Sequence, residues 1–198
     1  GRNSIDLNFY KMITSYAYAF LTATRQKTSI SMLDWGGAIG HYYLVSQKIA
    51  PGLNIDYHCK EVPVLAEYGQ NLFPEAHFYT DDSCLDKNYD FVLVSGAFHY
   101  LKDWTTYLER FARSTNNYLL ITRLPVVKKT PSFVIVQRAY RYGYDTEYLS
   151  WCFNREEFLK SALASGLKLV KEFMGEQITP IQNAPEQPKA FQGFLFSK

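Results

Sequence analysis

The sequence predicts a single α/β domain: a doubly wound, mostly parallel seven-stranded sheet with an amphipathic helix ahead of it and an antiparallel hairpin at its end. Three observations carry this. Short β-like runs alternate with helical segments, a glycine-rich turn follows the first of those runs, and the last two runs are joined by a Pro- and Gln-containing link. A chain of 198 residues suits one domain with a real core, so residues 1–198 are read as one unit.

From Ile5 to about Thr24 the apolar residues Ile5, Phe9, Met12, Ile13, Tyr16, Phe20 and Leu21 recur at helical spacing, and Ser4 can cap the start. Residues 1–27 therefore form a helical cap. The runs "SISMLDW", "LNIDYHC", "AHFYT", "YDFVLVSG" and "NYLLITR" read as strands, separated by the helical "GHYYLVSQKIA", "PVLAEYGQNLF", a short "SCLDK" and "DWTTYLERFARS". Parallel neighbours need a crossover, and each crossover helix covers a face of the sheet. After Arg123 the rhythm breaks. Residues 124–152, aromatic and holding Pro125 and Pro131, read as a long connection, and such excursions tend to be lids or substrate loops. A helix resumes at "NREEFLKSALASG", with Asn154 as its cap and Gly166 as its stop, and "LKLVKEFMGE" and "KAFQGFLFSK" close the sheet as a hairpin.

Lysine and arginine number 21 against 19 acidic residues and are scattered, so no basic stripe argues for nucleic acid or an anionic membrane. A small-molecule partner is expected. Cys59, Cys84 and Cys152 form no C-x-x-C pair, which indicates neither a disulfide framework nor a zinc knuckle and fits a reducing cytoplasm. The apolar "SYAYAFLTA" is too short to span a bilayer. The 16 tyrosines and 14 phenylalanines suit a bulky core or an aromatic-lined pocket.

The glycine turn "DWGGAIG" identifies the ligand edge, because ligands of doubly wound sheets bind beyond the carboxyl ends of the strands. The dinucleotide pattern G-x-G-x-x-G is broken: counting from Gly36, Ala38 holds the second glycine place and His41 the sixth. No P-loop G-K-[ST] is present. What stands here is D-x-G-G-x-x-G, with Asp34 ahead of Gly36, Gly37 and Gly40, a setting that repels phosphate and welcomes an ammonium or sulfonium. Glu61 ends the second strand 21 residues after Gly40, the place of an acid that takes ribose hydroxyls; the plain alternative is a solvated carboxylate beside Lys60.

Asp34, Gly36, Gly37 and Gly40 resemble motif I of the class I S-adenosylmethionine-dependent methyltransferases, usually D-x-G-x-G-x-G, with Ala38 at the middle glycine. Together with "KEVPVLAEYGQ", "YDFVLVSGAFHYL", "LLITRLP" and "WCFNREEFL", the chain from about residue 30 onward resembles a family of bacterial proteins classed as methyltransferases and often associated with surface-polysaccharide gene clusters. The resemblance implies a Rossmann-like fold and S-adenosylmethionine as cofactor but carries over no acceptor; the expectation from the chain as a whole is a small-molecule acceptor, with O-methylation of a sugar or related metabolite as the expected reaction. The resemblance places Asp81 or Asp82, with Asp81 favoured, at the adenine amino group, although either can instead cap the "SCLDK" turn. It sets Ser95 to Phe98 at the methionine end.

His99, at the strand's carboxyl end, is the candidate general base, against the alternative of a histidine that anchors its turn. Arg123 can grip an acceptor carboxylate or phosphate or pair with a structural acid. Tyr144, Tyr148 and Trp151 can stack on an acceptor ring or anchor their own segment. His41 follows the glycine turn, His58 lies in the second strand and His77 near the third, with no spacing that suggests metal ligands. Two other classes compete: a non-catalytic scaffold with the same fold, and a nicotinamide-dependent oxidoreductase, which the missing glycines oppose.

Overall fold

The computed structural model describes residues 7–138, 140, 143 and 145–198. Ser4, Ile5 and Tyr144, singled out above, lie outside them. Helix α1 (Leu7–Thr24) leads into β1 (Ser29–Trp35), α2 (His41–Ile49), β2 (Asn54–Lys60), α3 (Pro63–Leu72) and β3 (His77–Tyr79). A 3-10 turn over Asp82–Asp86 precedes β4 (Tyr89–Ser95), and a second over Phe98–Tyr100 leads to α4 (Trp104–Ser114). The chain continues through β5 (Thr115–Val127), β6 (Phe133–Arg138), β7 (Glu147–Asn154), α5 (Arg155–Ala164), β8 (Lys168–Gln177) and β9 (Ala190–Ser197).

Strands β3, β2, β1, β4 and β5 lie side by side and parallel; β9 runs antiparallel to β5, and β8 antiparallel to β9. The seven-stranded, mostly parallel sheet and its closing hairpin are thus as the sequence pattern predicts. Order reverses at β1, whose neighbours are β2 and β4, which puts the switch point at the end of the strand that carries the glycine turn.

Each face is covered by the helices that the crossovers require. Tyr16, Ala19 and Phe20 of α1 and Tyr42 and Tyr43 of α2 pack on Met32, Tyr57, Phe91 and Leu120. On the other face Leu108 and Phe111 of α4 and Phe158 and Ala162 of α5 pack on Val92, Leu119, Phe194 and Phe196. Burying each large side chain of this kind contributes about 1.5–3 kcal/mol. Asn154 caps α5 by accepting from the backbone N–H groups of Glu156 and Glu157, as its position suggested.

Residues 124–152 differ from the long loop read in the sequence. β5 runs on past a bulge, its Val126 and Val127 pairing with Phe153 and Asn154 of β7, while β7 pairs along its length with β6. "FVIVQR" and "EYLSWCFN" carry the β-branched and aromatic residues that favour a pleated ribbon, a signal outweighed in the sequence by the flanking prolines. Glu186, from the link between β8 and β9, holds the base of this arm by accepting from the N–H groups of Lys128, Lys129 and Thr130. Those bonds depress its carboxyl to about 2, overcoming an opposing desolvation.

Candidate functional site

The carboxyl edge at β1 is built from glycines because nothing larger fits. A β-carbon on Gly36 would stand 2.5 Å from that of Ala97, and one on Gly37 would stand 2.5 Å from the Asp34 carboxyl carbon and 2.7 Å from Cys59 Sγ. Gly36 and Gly40 also have positive φ, 76° and 87°, and Gly40 stands just ahead of α2. Ala38, where the related motif has glycine, shares that left-handed backbone at φ 52° and bears its cost of about 1–2 kcal/mol.

Asp34 lies under this turn rather than in it. The side chain is fully buried; Oδ2 accepts from the Tyr57 hydroxyl at 2.6 Å, and Oδ1 has no partner. Desolvation raises its carboxyl from 3.8 to about 7, the Tyr57 bond opposing and the nearby Glu61 carboxylate adding to the rise. The ligand-facing surface is therefore the backbone of the turn, with Asp34 one layer beneath it.

Glu61 stands at the same edge, on the residue after β2. Its Oε2 accepts from the Ala38 N–H at 3.0 Å and its Oε1 from the Val62 N–H at 2.8 Å. The carboxylate thereby braces the glycine turn and stays partly open to solvent. It is not a partner of Lys60, whose ammonium sits 4.5 Å over the Trp35 ring and 3.8 Å from Asp82.

The two acids after β3 separate clearly. Asp82 is occupied, accepting from Trp35 Nε1, the Tyr107 hydroxyl and Arg110. Asp81 caps the turn through one oxygen, on the Ser83 N–H, and its side chain is exposed.

His99 occupies the 3-10 turn after β4 and is 4% exposed, with Nδ1 buried and unpartnered. Burial first, and then the Arg123 charge, lower its pKa from 6.5 to about 4, so it is a neutral imidazole at physiological pH. Arg123 sits at the β5 bulge with φ 62°, and among the described residues no carboxylate lies within ion-pair distance of it. Its guanidinium lies over Gly96, where a β-carbon would come 3.1 Å from Nη1, and its charge also lowers the pKa of His41. The Tyr42, Ser95 and Thr122 hydroxyls link α2, β4 and β5 at this edge, at 3.3 and 3.0 Å.

Beside Arg123 opens a cavity of about 230 Å³. Lys11, Ser15 and Gln192 supply polar groups to it, and Met12, Phe173 and Phe191 apolar walls. Sequence reasoning missed this lining, because α1, β8 and β9 meet Arg123 only in the folded sheet. Tyr148 and Trp151 are not brought to one surface: three residues apart on β7, they fall on opposite faces. Tyr148 is 40% exposed and meets Tyr100 edge-on at 6.2 Å, whereas Trp151 packs against the core beside Phe153.

This combination of a 3-2-1-4-5 parallel sheet, an antiparallel hairpin and a glycine turn at the switch point is the fold of class I S-adenosylmethionine-dependent methyltransferases. Magnesium protoporphyrin IX methyltransferase from Synechocystis PCC 6803, solved with S-adenosylhomocysteine, superposes with a TM-score of 0.64 at 12% identity, over 100% of this chain and 90% of its own. The N-methyltransferase NodS from Bradyrhizobium japonicum WM9, also with S-adenosylhomocysteine, gives 0.61 at 12% identity, over 100% and 90%. The N-terminal domain of EvdMO1, in the presence of S-adenosylhomocysteine and D-fucose, gives 0.62 at 12% identity, over 94% and 82%. At these identities the likeness is one of fold. No family model and no curated protein matches the sequence.

Proposed function

We propose that this chain is an S-adenosylmethionine-dependent methyltransferase that methylates a hydroxyl of a small, sugar-like acceptor. The observation that carries the reading is the clasp at the switch point, in which Glu61 holds the Ala38 N–H at 3.0 Å above the buried Asp34. A glycine surface that excludes β-carbons, an acid able to accept ribose hydroxyls and a buried carboxylate that favours a nearby positive charge fit this cofactor's parts. Gly36, Gly37 and Gly40 would give the backbone surface, Glu61 would take the ribose, and Asp81, with one oxygen uncommitted, would address the adenine amino group.

When bound, the cofactor supplies a methyl group on a sulfonium, a good leaving group. The chain then has to align the acceptor, exclude water and take a proton. His99, held neutral, accepts the hydroxyl proton as the acceptor oxygen takes the methyl. Arg123, without an ion-pair partner among the described residues and lining the cavity together with Glu176, holds an anionic group of the acceptor. Tyr148 and Tyr100, with Leu149, line a separate surface pocket that could take an acceptor ring, and Trp151 supports β7 from the core. A sugar acceptor agrees with the surface-polysaccharide association that the sequence resemblance implies and with the D-fucose present in the EvdMO1 structure.

Isothermal titration with S-adenosylhomocysteine tests the cofactor half. Wild type should bind, and Glu61→Ala should weaken binding by roughly tenfold or more, the loss of a charged hydrogen-bonding partner. Absence of binding by wild type, or equal affinity in the variant, refutes the reading.

A further inference from the structure

On the sheet face opposite the glycine turn's helix, the parallel register of β2 and β3 sets His58 directly beside His77. Asp56, two residues before His58 on the same strand, projects to the same side. Asp56 Oδ1 lies 3.1 Å from His58 Nε2 and 3.5 Å from His77 Nε2, and the two imidazoles stack with centroids 4.5 Å apart. One potential ligand atom from each residue falls within 4.8 Å of the others.

We propose that Asp56, His58 and His77 form a binding site for a divalent transition metal of the zinc class, which ties the short edge strand β3 to β2. The geometry is that of a metal site before closure. Zinc–ligand bonds of about 2.0–2.1 Å in a tetrahedron separate ligand atoms by about 3.3 Å, close to two of the distances here. Two imidazoles and one carboxylate select zinc, copper or nickel over magnesium or calcium, which want oxygen ligands.

The surroundings orient the ligands as metal sites do. His58 Nδ1 is 2.9 Å from the Tyr79 hydroxyl, which fixes the ring and turns Nε2 toward Asp56. His58 is 6% exposed, so the packing around it holds its ring in place. The nearest opposing charge, Lys87, donates to the Tyr79 hydroxyl at 2.9 Å. A single carboxylate faces the two stacked rings. A metal ion satisfies all three groups at once.

The three side chains take no part in the clasp that Glu61 forms with Ala38 and Val62, and zinc and S-adenosylhomocysteine are titrated separately, so failure here is distinguishable from failure of the cofactor reading. Tag-free, chelator-stripped full-length chain is titrated calorimetrically with zinc chloride, with magnesium chloride as control, and melted with and without zinc. Wild type should bind one zinc per chain, melt higher with zinc and ignore magnesium. His77→Ala and Asp56→Ala, at side chains that are both more than half exposed, should keep the apo melting temperature and the affinity for S-adenosylhomocysteine yet lose at least about a hundredfold in zinc affinity. Tyr79→Phe, which removes the hydroxyl shared by His58 Nδ1 and the Lys87 ammonium, should lose about tenfold. No zinc binding by wild type, or binding that survives both alanine variants unchanged, overturns the proposal.

Discussion

Replacing Asp34 by asparagine separates the cost of the buried carboxylate from its use. A carboxyl that titrates at 3.8 in the unfolded chain and at about 7 in the fold binds more protons folded than unfolded between those values. Stability is then fully present below the lower value and is lost as pH rises through the upper one. At about 1.36 kcal/mol per unit, the loss from this group amounts to about 4 kcal/mol in all, more than half of it between about pH 5 and pH 8. His99 works in the opposite direction. Its pKa falls from 6.5 to about 4 on folding, so its contribution is present above the unfolded value and lost as pH falls, about 2 kcal/mol over the same window. The two oppose each other in the wild-type profile, in which His41, its pKa likewise lowered, acts in the same direction as His99. Urea denaturation of wild type and Asp34→Asn at both pH values isolates the carboxylate. The variant should gain about 2–3 kcal/mol more than wild type on going from pH 5 to pH 8, since His99 acts equally in both. The same substitution should weaken binding of the sulfonium cofactor more than binding of its neutral homocysteine counterpart. Parallel stability profiles for the two proteins would refute the reasoning.

Two further substitutions test the carboxyl edge. Ala38→Gly should leave the thermal midpoint equal or higher, because it removes a left-handed cost of about 1–2 kcal/mol against a smaller gain in unfolded-chain entropy; Gly36→Ala, whose β-carbon would meet Ala97 at 2.5 Å, should lower it by several degrees, and equal losses in both would count against the geometry of the turn. Arg123→Gln should raise the pKa of His99, followed by NMR of its ring carbon, because the Arg123 charge is one of its two depressing causes; an unchanged or lower value would remove Arg123 from the site.

The sheet and its ligand edge were legible because they rest on local signals. Strand runs, Asn154 at the head of α5 and the glycines after Asp34 each announce themselves within a few residues. Glu61 was legible by spacing alone, since one crossover fixes how far the second strand's end falls from the first. What stayed hidden depends on register between distant segments. Nothing in the spacing of His58 and His77 hints that parallel pairing sets them side by side. Likewise, no local feature shows that Glu186 clamps the turn at Lys128 to Thr130. Residues 124–152 misled for a different reason: the prolines at 125 and 131 read as breaks, yet Pro125 is accommodated in β5 and Pro131 falls in the turn before β6.

The distribution of backbone strain and unpaired charge points to where the molecule acts. At the amino edge of the sheet Asp90 is satisfied by Lys27 at 2.8 Å, by Ser31 and by Asn117. At the carboxyl edge Arg123 has no such acid among the described residues. Among residues other than glycine, Gln26, Ala38, Arg123 and Asn183 have positive φ. Gln26 and Asn183 occupy turns between elements, whereas Ala38 and Arg123 flank the Gly96 and Ser95 end of β4, and their strain is sustained by the packing around them. The Arg123 charge also opposes protonation of His99. If His99 is the base and Arg123 the anchor proposed above, an anionic group bound at Arg123 would offset that charge and make His99 more basic as the acceptor arrives, so that occupancy of the acceptor site would be coupled to readiness for proton transfer.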